Sequence, residues 1–198
     1  MRLLYLCWLN IPLVRPLADR LMTRAFDAMA PQWDSYNTDP GRLDPLFTAV
    51  ERVAETATPT RVLDLGCGNG TVAIWLARRF GEAWAFGIDV SPVMIEQATQ
   101  RASESGSAAR FSVGCNEHSG FADGEFDLIT LVNVPPPFEE IARLLTPGGH
   151  VVVVFTKGPK TWFYSNPDRL ARGLGKHGVA VIDQATRGRG EYLIAAKQ

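Results

Sequence analysis

The sequence has few cysteines and histidines, and they form no pattern typical of a metal site. Its 198 residues include three histidines and three cysteines, Cys7, Cys67 and Cys115. The cysteines are widely spaced and odd in number, so they predict neither a disulfide framework nor a metal centre. Free thiols suit a reducing compartment, and we therefore expect a cytoplasmic protein without a metal ion.

Charge of one sign is not concentrated anywhere in the chain. The 20 Lys and Arg residues nearly balance the 21 Asp and Glu residues, and they form neither a basic block nor an acidic tail. Because nucleic-acid binding needs a concentrated positive face, we expect no nucleic-acid partner. A neutral or small-molecule ligand fits this composition better.

Long apolar runs are scarce, and the main one is at the N-terminus, where residues 1–14 read MRLLYLCWLNIPLV. Asn10 and Pro12 interrupt this run, which is too short to span a bilayer, and no small-residue cleavage site follows it closely. We therefore expect neither a membrane span nor a signal peptide. Two interpretations remain: an apolar arm that packs on the domain or on a second copy in a homodimer, or an extension upstream of a natural start at Met22.

From residue 61 onward, strand patterns alternate with helix patterns, which predicts parallel strands joined by right-handed crossovers. The strands are apolar on both faces, as expected when helices cover both sides of a sheet. A helix is predicted over 138–149, ended by Pro147 and two glycines, with the next strand over 150–156. The last two strands are joined by the short segment QATRGRG, which favours an antiparallel hairpin. The pattern is typical of a doubly wound α/β sandwich of three layers, with an antiparallel C-terminal strand.

The residues before the first strand predict two amphipathic helices, over 15–30 and 45–55, with a loop between them. We interpret residues 1–55 as an N-terminal helical arm or cap that packs on the core. Residues 56–198 form that core, and the whole chain is interpreted as a single domain.

The strand RVLDLG leads into a turn with glycines at alternate positions, Gly66, Gly68 and Gly70. In a doubly wound sheet this first strand-to-helix turn lies where a ligand binds, and glycines let backbone amides approach it. Asp89 ends the second strand about twenty residues later, where a carboxylate can bind a ribose diol. Both features fit a nicotinamide dinucleotide or S-adenosylmethionine.

Spacing and charge distinguish these two cofactors. The dinucleotide motif Gly-x-Gly-x-x-Gly needs its third glycine one residue later, where this chain has Thr71. A dinucleotide also places a pyrophosphate on this turn, and the nearby carboxylate of Asp64 would repel it. S-adenosylmethionine instead carries a sulfonium and an ammonium, which a carboxylate stabilises. Asp64 therefore favours the methyl donor.

Four segments in order, VLDLGCGNG, GIDVSPVMIEQA, FDLITLVNV and IARLLTPGGHVVVVF, resemble the motifs of class I S-adenosylmethionine-dependent methyltransferases. The resemblance extends from about Met29 to the C-terminus and implies a seven-stranded, Rossmann-like sheet. It also implies a set of residues that bind S-adenosylmethionine through the methionine, ribose and adenine parts. We expect these to be Trp33, Asp64, Gly66, Cys67, Gly68, Gly70, Asp89, Val90, Met94, Cys115, Asn116 and Val132.

One segment departs from the family pattern. After the third strand the family commonly has Gly-Asp, whose acid accepts a hydrogen bond from the adenine amino group. This chain has Gly114 followed by Cys115, Asn116 and Glu117. Since a thiol is a poor acceptor, we expect the contact to come from Asn116, Glu117, the backbone or water.

The resemblance implies transfer of a methyl group to a small-molecule acceptor by in-line displacement, with positioning as the main catalytic device. His118 and Asn133 are weak candidates for a catalytic role, because each follows a strand at the expected edge of the sheet. Two alternatives stay open. Cys115 and the apolar N-terminal run would also suit a non-catalytic, methyltransferase-like binding subunit, and the glycine turn leaves an NAD(P)-dependent oxidoreductase as a further possibility.

Overall fold

A seven-stranded sheet forms the centre of the computed structural model, which describes residues 15–81 and 83–198. The strand order is β3-β2-β1-β4-β5-β7-β6. The bounds of the strands are β1 Arg61–Leu65, β2 Trp84–Asp89, β3 Arg110–Val113, β4 Phe126–Val132, β5 Leu145–Phe155, β6 Val179–Arg187 and β7 Gly190–Lys197. Strand β7 runs antiparallel to both of its neighbours, and the other pairings are parallel. The predicted fold class, including its reversed C-terminal strand, is confirmed.

Helices connect most of the strands and also precede the sheet. Their bounds are α1 Arg15–Met29, α2 Trp33–Tyr36, α3 Asp44–Ala54, α4 Thr71–Arg79, α5 Pro92–Glu104, α6 Phe138–Leu144 and α7 Pro167–Gly175, with short 3₁₀ helices at Ala30–Gln32 and Gly158–Lys160. Helix α5 begins as its sequence predicts: Ser91 Oγ accepts a hydrogen bond from the Met94 amide at 3.1 Å, and Pro92 occupies the first turn. Within the described residues, no helix has the length and apolar character that crossing a membrane requires.

Two hydrophobic cores lie on opposite faces of the sheet. On one face, Val62 and Val152 pack in the cluster that contains Leu46 of α3 and Leu76 of α4. On the other face, the neighbouring strand residue Leu63 packs in the cluster that contains residues of α6 and α7. Successive side chains of a strand point to opposite faces, so the strands β1, β2, β4, β5 and β7 contribute to both cores. This is the arrangement that strands apolar on both faces predict.

The boundary between α6 and β5 differs from the sequence-based prediction. Helix α6 ends at Leu144, and Leu145 already pairs with Phe126 of β4. The register then shifts, so that His150 pairs with Leu128 and the Thr-Pro-Gly-Gly segment forms an irregular excursion within the strand. Gly148 adopts a φ of 76° there, which a glycine allows without strain. Proline and glycine therefore mark a bulge here, not the end of a helix.

The segment before α3 is also more ordered than the predicted loop. Residues 30–36 form a 3₁₀ turn that continues into α2, and Ala30 is buried. The apolar run at residues 1–14 lies outside the described residues, as does the homodimer contact predicted for it. The division into a 1–55 cap and a 56–198 core stays a prediction.

Candidate functional site

A cavity of about 700 Å³ opens at the carboxyl ends of the central strands. This is the edge of the sheet at which doubly wound folds bind ligands, and the volume suits a cofactor together with a small second molecule. Most of the predicted cofactor-binding residues line it: Trp33, Asp64, Gly66, Cys67, Gly68, Asp89, Val90, Met94, Cys115, Asn116 and Val132. The topology therefore brings together residues that are up to a hundred positions apart.

The glycine turn forms the floor of the cavity. Its backbone is fixed because the amides of Gly66 and Cys67 both donate to Ile88 O, each at 2.9 Å. Gly66 adopts a φ of 72°, and a Cβ added to it would lie only 2.5 Å from Val134 Cγ2. Glycine is thus needed at Gly66 both for its conformation and for the close approach of the loop after β4.

Gly70 does not line the cavity. It is the N-cap of α4 with a φ of 80°, and an added Cβ would lie 2.8 Å from Ala98 of α5 and 2.8 Å from Phe111 of β3. The third glycine therefore allows close packing of the turn against neighbouring elements. Its predicted contact with a cofactor stays a prediction.

Asp89 links the end of β2 to the glycine turn. Its Oδ2 accepts from the Gly68 amide and its Oδ1 accepts from the Ser91 amide, both at 2.9 Å. Burial raises the pKa of this carboxyl, and the backbone hydrogen bonds oppose that rise. Each carboxylate oxygen can accept more than one hydrogen bond, so the aligned side chain can still receive donors from a ligand in the cavity.

Asp64 is the most deeply placed carboxylate of the cavity, with an exposed fraction of 2%. Its Oδ1 accepts a hydrogen bond from Thr130 Oγ1 of the adjacent strand at 2.8 Å. Burial raises the pKa of Asp64 to about 7, against the effect of the Thr130 hydrogen bond, and the charge of Asp89 adds to the rise. Among the described residues no cation forms an ion pair with it. The cavity wall thus contains a carboxyl group whose ionised form a cationic ligand would stabilise.

Helix α1 and the short α2 cover one side of the cavity. The indole of Trp33 lies over the glycine turn, with its Nε1 atom 3.6 Å from the position of a Cβ on Gly68. Two carboxylates tie this cover to the core. Asp27 accepts from Ser91 Oγ at the start of α5, and Asp34 accepts from Asn69 Nδ2 at 2.8 Å and from Arg101 Nη2 at 2.6 Å.

The loop after β3 contributes Cys115, Asn116 and Glu117 to the wall. The Oδ1 atom of Asn116 is buried and has no hydrogen-bond partner. Cys115 Sγ donates to Glu117 Oε2 at 2.9 Å, and burial together with this carboxylate raises the pKa of the thiol to about 11. An amide oxygen without a partner is a free acceptor in the place where the family's aspartate is missing.

The two weak catalytic candidates have different positions. Asn133 lines the cavity, but its side chain is held by Thr156, whose amide donates to Asn133 Oδ1 at 2.8 Å. Its Nδ2 atom donates to Thr156 Oγ1 at 2.9 Å. Asn133 also adopts a φ of 58°, so these bonds fix an unusual backbone turn. His118 is exposed, forms an isolated bridge with Cys115, and is not among the residues that line the cavity.

Several residues of the cavity were missed by the sequence analysis. Arg42, between α2 and α3, is half-buried in the wall. Burial lowers the pKa of its guanidinium, while the charges of Asp34 and Asp39 oppose this change. Lys157 and Lys160 after β5 also line the cavity, as do apolar residues of α1 such as Phe26. None of these belongs to a local motif, so no signal in the sequence distinguishes them.

The fold and the site together define a Rossmann-like cofactor-binding domain whose sheet ends in a reversed hairpin. Residues 62–149 match a family described as "Methyltransferase domain". Over these residues the chain is similar to the class I S-adenosylmethionine-dependent methyltransferases, and S-adenosylmethionine is the cofactor of that class. The resemblance noted in the sequence is thereby confirmed.

Three known proteins illustrate the similarity. Methyltransferase GfsG of Streptomyces halstedii is 35% identical over 134 residues, which cover 60% of this chain and 48% of that protein. The probable chloroplastic tocopherol O-methyltransferase of Oryza sativa subsp. japonica is 34% identical over 129 residues, or 61% of this chain and 33% of that protein. The chain thus spans less than half the length of these two relatives. A crystal structure of a SAM-dependent methyltransferase from Aquifex aeolicus shares the fold, with a TM-score of 0.69 and 20% identity over 86% of this chain and 97% of that chain.

Proposed function

We propose that this chain transfers the methyl group of S-adenosylmethionine to a small-molecule acceptor. The observation that carries the proposal is Asp64, a buried carboxylate in the wall of a ligand-sized cavity that pairs with no described cation. A buried charge without a partner is unfavourable, and a cationic ligand removes that penalty. S-adenosylmethionine is cationic at its sulfonium and its ammonium, whereas a dinucleotide would bring further negative charge.

The other polar groups of the cavity match the remaining parts of this cofactor. Asp89 would accept hydrogen bonds from the ribose hydroxyls, and the unpartnered Oδ1 of Asn116 would accept from the adenine amino group. Arg42 supplies the positive charge that the methionine carboxylate requires. Trp33 would cover the bound molecule from the opposite side. The charges and hydrogen-bonding groups of the cavity therefore suit those of the cofactor.

The bound cofactor supplies a methyl group that is already activated for displacement. The residues of the chain hold and orient the two reactants, and the α1–α2 cover limits the access of water. Neither of the two candidates from the sequence is placed to act as a general base: His118 does not line the cavity, and the amide of Asn133 is held by Thr156. This supports positioning as the main catalytic device.

The acceptor is a small molecule in this proposal. The part of the cavity beyond the glycine turn has apolar walls from α1 and from the loops after β4 and β5, such as Phe26, Pro135 and Phe163. One relative is a probable tocopherol O-methyltransferase, and tocopherol is a small apolar molecule. We propose a cytoplasmic location as well, on the ground of the free cysteines, and we keep the homodimer through residues 1–14 as a prediction.

Calorimetry with S-adenosylmethionine and S-adenosylhomocysteine tests the binding half of this proposal. We expect saturable binding of both, and none of NAD or NADP at the same concentrations. The matched variant Asp64→Asn should bind S-adenosylmethionine more weakly while it remains folded. Failure of both adenosyl ligands to bind at millimolar concentration would contradict the proposal.

The catalytic half requires turnover. Incubation with labelled S-adenosylmethionine and a panel of small acceptors should transfer label to at least one of them. Tight cofactor binding without transfer to any acceptor would instead favour the non-catalytic binding subunit.

A further inference from the structure

The turn after β5 places two lysines on the wall of the cavity. Lys157 precedes the 3₁₀ helix Gly158–Lys160 and Lys160 is its last residue, and the Lys160 amide donates to Lys157 O at 3.2 Å. Residues three apart in a 3₁₀ turn lie on the same side of it. Both side chains accordingly line the cavity, although both are exposed to solvent.

Neither lysine is used by the fold. Within residues 15–81 and 83–198, no hydrogen bond or ion pair joins Lys157 or Lys160 to another side chain. Lys197, by contrast, donates from Nζ to Leu145 O at 2.8 Å, and Arg101 pairs with Asp34. The two ammonium groups are therefore available to a ligand.

A buried hydroxyl lies beside them in the same turn. Thr161 lines the cavity, and its Oγ1 atom is buried without a hydrogen-bond partner. Buried hydroxyls are normally hydrogen-bonded, so an orphan in a cavity wall indicates a site for a ligand or a water molecule. Two cations and one hydroxyl donor are groups that bind an oxyanion.

Charge is divided between the two parts of the cavity. The carboxylates of Asp64 and Asp89 lie at the ends of β1 and β2, which is the cofactor part, whereas the lysines lie after β5. Near Asp64 and Asp89 an anion would be repelled, whereas the two lysines would attract it. Next to the lysines, Trp162 and Phe163 supply apolar surface. The second part thus suits a molecule with an apolar body and a negative end.

We propose that the methyl acceptor carries an oxyanion, a carboxylate or a phosphate, which Lys157, Lys160 and Thr161 bind and thereby orient. The inference rests on the proposed function, because it defines the acceptor class of the same cavity. It makes these three residues determinants of specificity. The nucleophilic atom belongs to the part of the acceptor that faces the cofactor.

Matched probes of one shape and different charge test this inference. We would measure binding of 2-naphthoate, 2-naphthyl phosphate and the neutral 2-naphthamide by calorimetry, with the protein saturated by S-adenosylhomocysteine and again without it. We expect at least one anion to bind roughly tenfold more tightly than the amide, with the preference reduced by added salt. The stronger of the two anions identifies the oxyanion.

Variants assign the preference to the turn. In the double variant Lys157→Gln/Lys160→Gln, anion affinity should fall roughly tenfold to the level of the amide, and amide affinity should not change. Lys176→Gln, an exposed lysine outside the cavity, is the matched control and should bind like the parent. Thr161→Val should weaken anion binding and leave amide binding intact.

Three results would overturn the inference: equal affinity of the parent for anions and amide, absence of anion binding at millimolar concentration, or an equal loss of both in the double variant. Because these measurements do not require methyl transfer, their failure is separable from that of the proposed function. If S-adenosylhomocysteine does not bind, the proposed function fails. The difference in affinity between the anions and the amide can still be measured on the ligand-free protein.

Discussion

Asp64 and Thr130 are direct partners in neighbouring parallel strands, and their side chains are joined by a hydrogen bond of 2.8 Å at the floor of the cavity. This pair keeps a nearly fully buried carboxyl oriented in the wall. Because burial raises the pKa of Asp64 to about 7, its charge in the ligand-free protein changes near neutral pH. Cofactor binding is therefore expected to be linked to proton release.

The first prediction concerns this linkage. Below about pH 7 Asp64 is protonated in the free protein, and a cationic ligand must displace that proton. The affinity for S-adenosylmethionine should therefore fall as the pH is lowered from 7.5 to 5.5, approaching tenfold per pH unit. Calorimetry in buffers of different ionisation enthalpy should detect proton release at pH 6.5. Affinity that increases on acidification would contradict this assignment, and Asp64→Asn should have low affinity with little pH dependence.

The same residue should make stability depend on pH. The folded pKa of Asp64 lies above its unfolded value, so the folded state binds the proton more tightly, and stability falls as the pH rises from about 4 to about 7. Each unit of pKa difference corresponds to about 1.4 kcal/mol. Asp64→Asn should thus stabilise the ligand-free protein more at pH 8 than at pH 5, as measured by denaturant unfolding. An equal effect at both pH values would argue against a raised pKa.

Thr130→Val tests the role of the hydroxyl without changing the shape of the side chain. The hydrogen bond from Thr130 favours the ionised form of Asp64, and its loss should raise the pKa further. The midpoint of the pH dependence of cofactor binding should move upward, and affinity at pH 7 should fall by about 1–2 kcal/mol. A variant that keeps the parent's midpoint would show that the hydroxyl does not tune the carboxyl.

Asp89→Ala should weaken cofactor binding by about 1–3 kcal/mol, because buried ribose hydroxyls lose an acceptor. It also removes the acceptor of the Gly68 and Ser91 amides, so unfolding should be measured in parallel. Asp168→Ala, an exposed acidic residue in the first turn of α7, serves as the control and should bind the cofactor normally. Unchanged affinity in Asp89→Ala would mean that the ribose lies elsewhere.

Gly66→Ala should destabilise the fold by about 1–3 kcal/mol, because its φ of 72° is unfavourable for alanine and the new Cβ collides with Val134. The collision should also displace the loop after β4, whose Val134 lines the cavity, so cofactor affinity should fall. Gly81→Ala is a matched control, since its Cβ meets nothing within 4 Å and its φ lies outside the left-handed region. Thermal unfolding of the two variants compares them directly.

The sequence predicts the parts of this molecule that depend on local order along the chain. Asp64, Gly66 and Asp89 come at the ends of strands and at a strand-to-helix turn, so the alternation of elements is enough to bring them to one edge of the sheet. The reversed hairpin follows in the same way from the length of one connection. These features are confirmed or lie where they were expected.

Other features depend on contacts between distant elements, which a single sequence does not contain. Thr130 matters to Asp64 only because β1 and β4 are neighbours, and Asn133 is held by a residue 23 positions away. Arg42 and Lys157 reach the cavity from segments without a recognisable motif. The helix predicted to continue to Gly149 failed for a related reason, since pairing of Leu145 with β4 overrides the local helical pattern.

The hydrogen bonds that hold the α1–α2 cover in place have a consequence for the steady-state rate of the proposed reaction. Asp27 and Asp34 both attach the cover to α5, at its two ends. In the proposed function, molecules that reach or leave the glycine turn on this side pass the α1–α2 cover, whose Trp33 lies over the turn. We therefore expect the departure of S-adenosylhomocysteine, and not the displacement itself, to limit the steady-state rate. Removal of the Asp27 or Asp34 tie would then increase the turnover rate and shorten the time for which the cofactor stays bound.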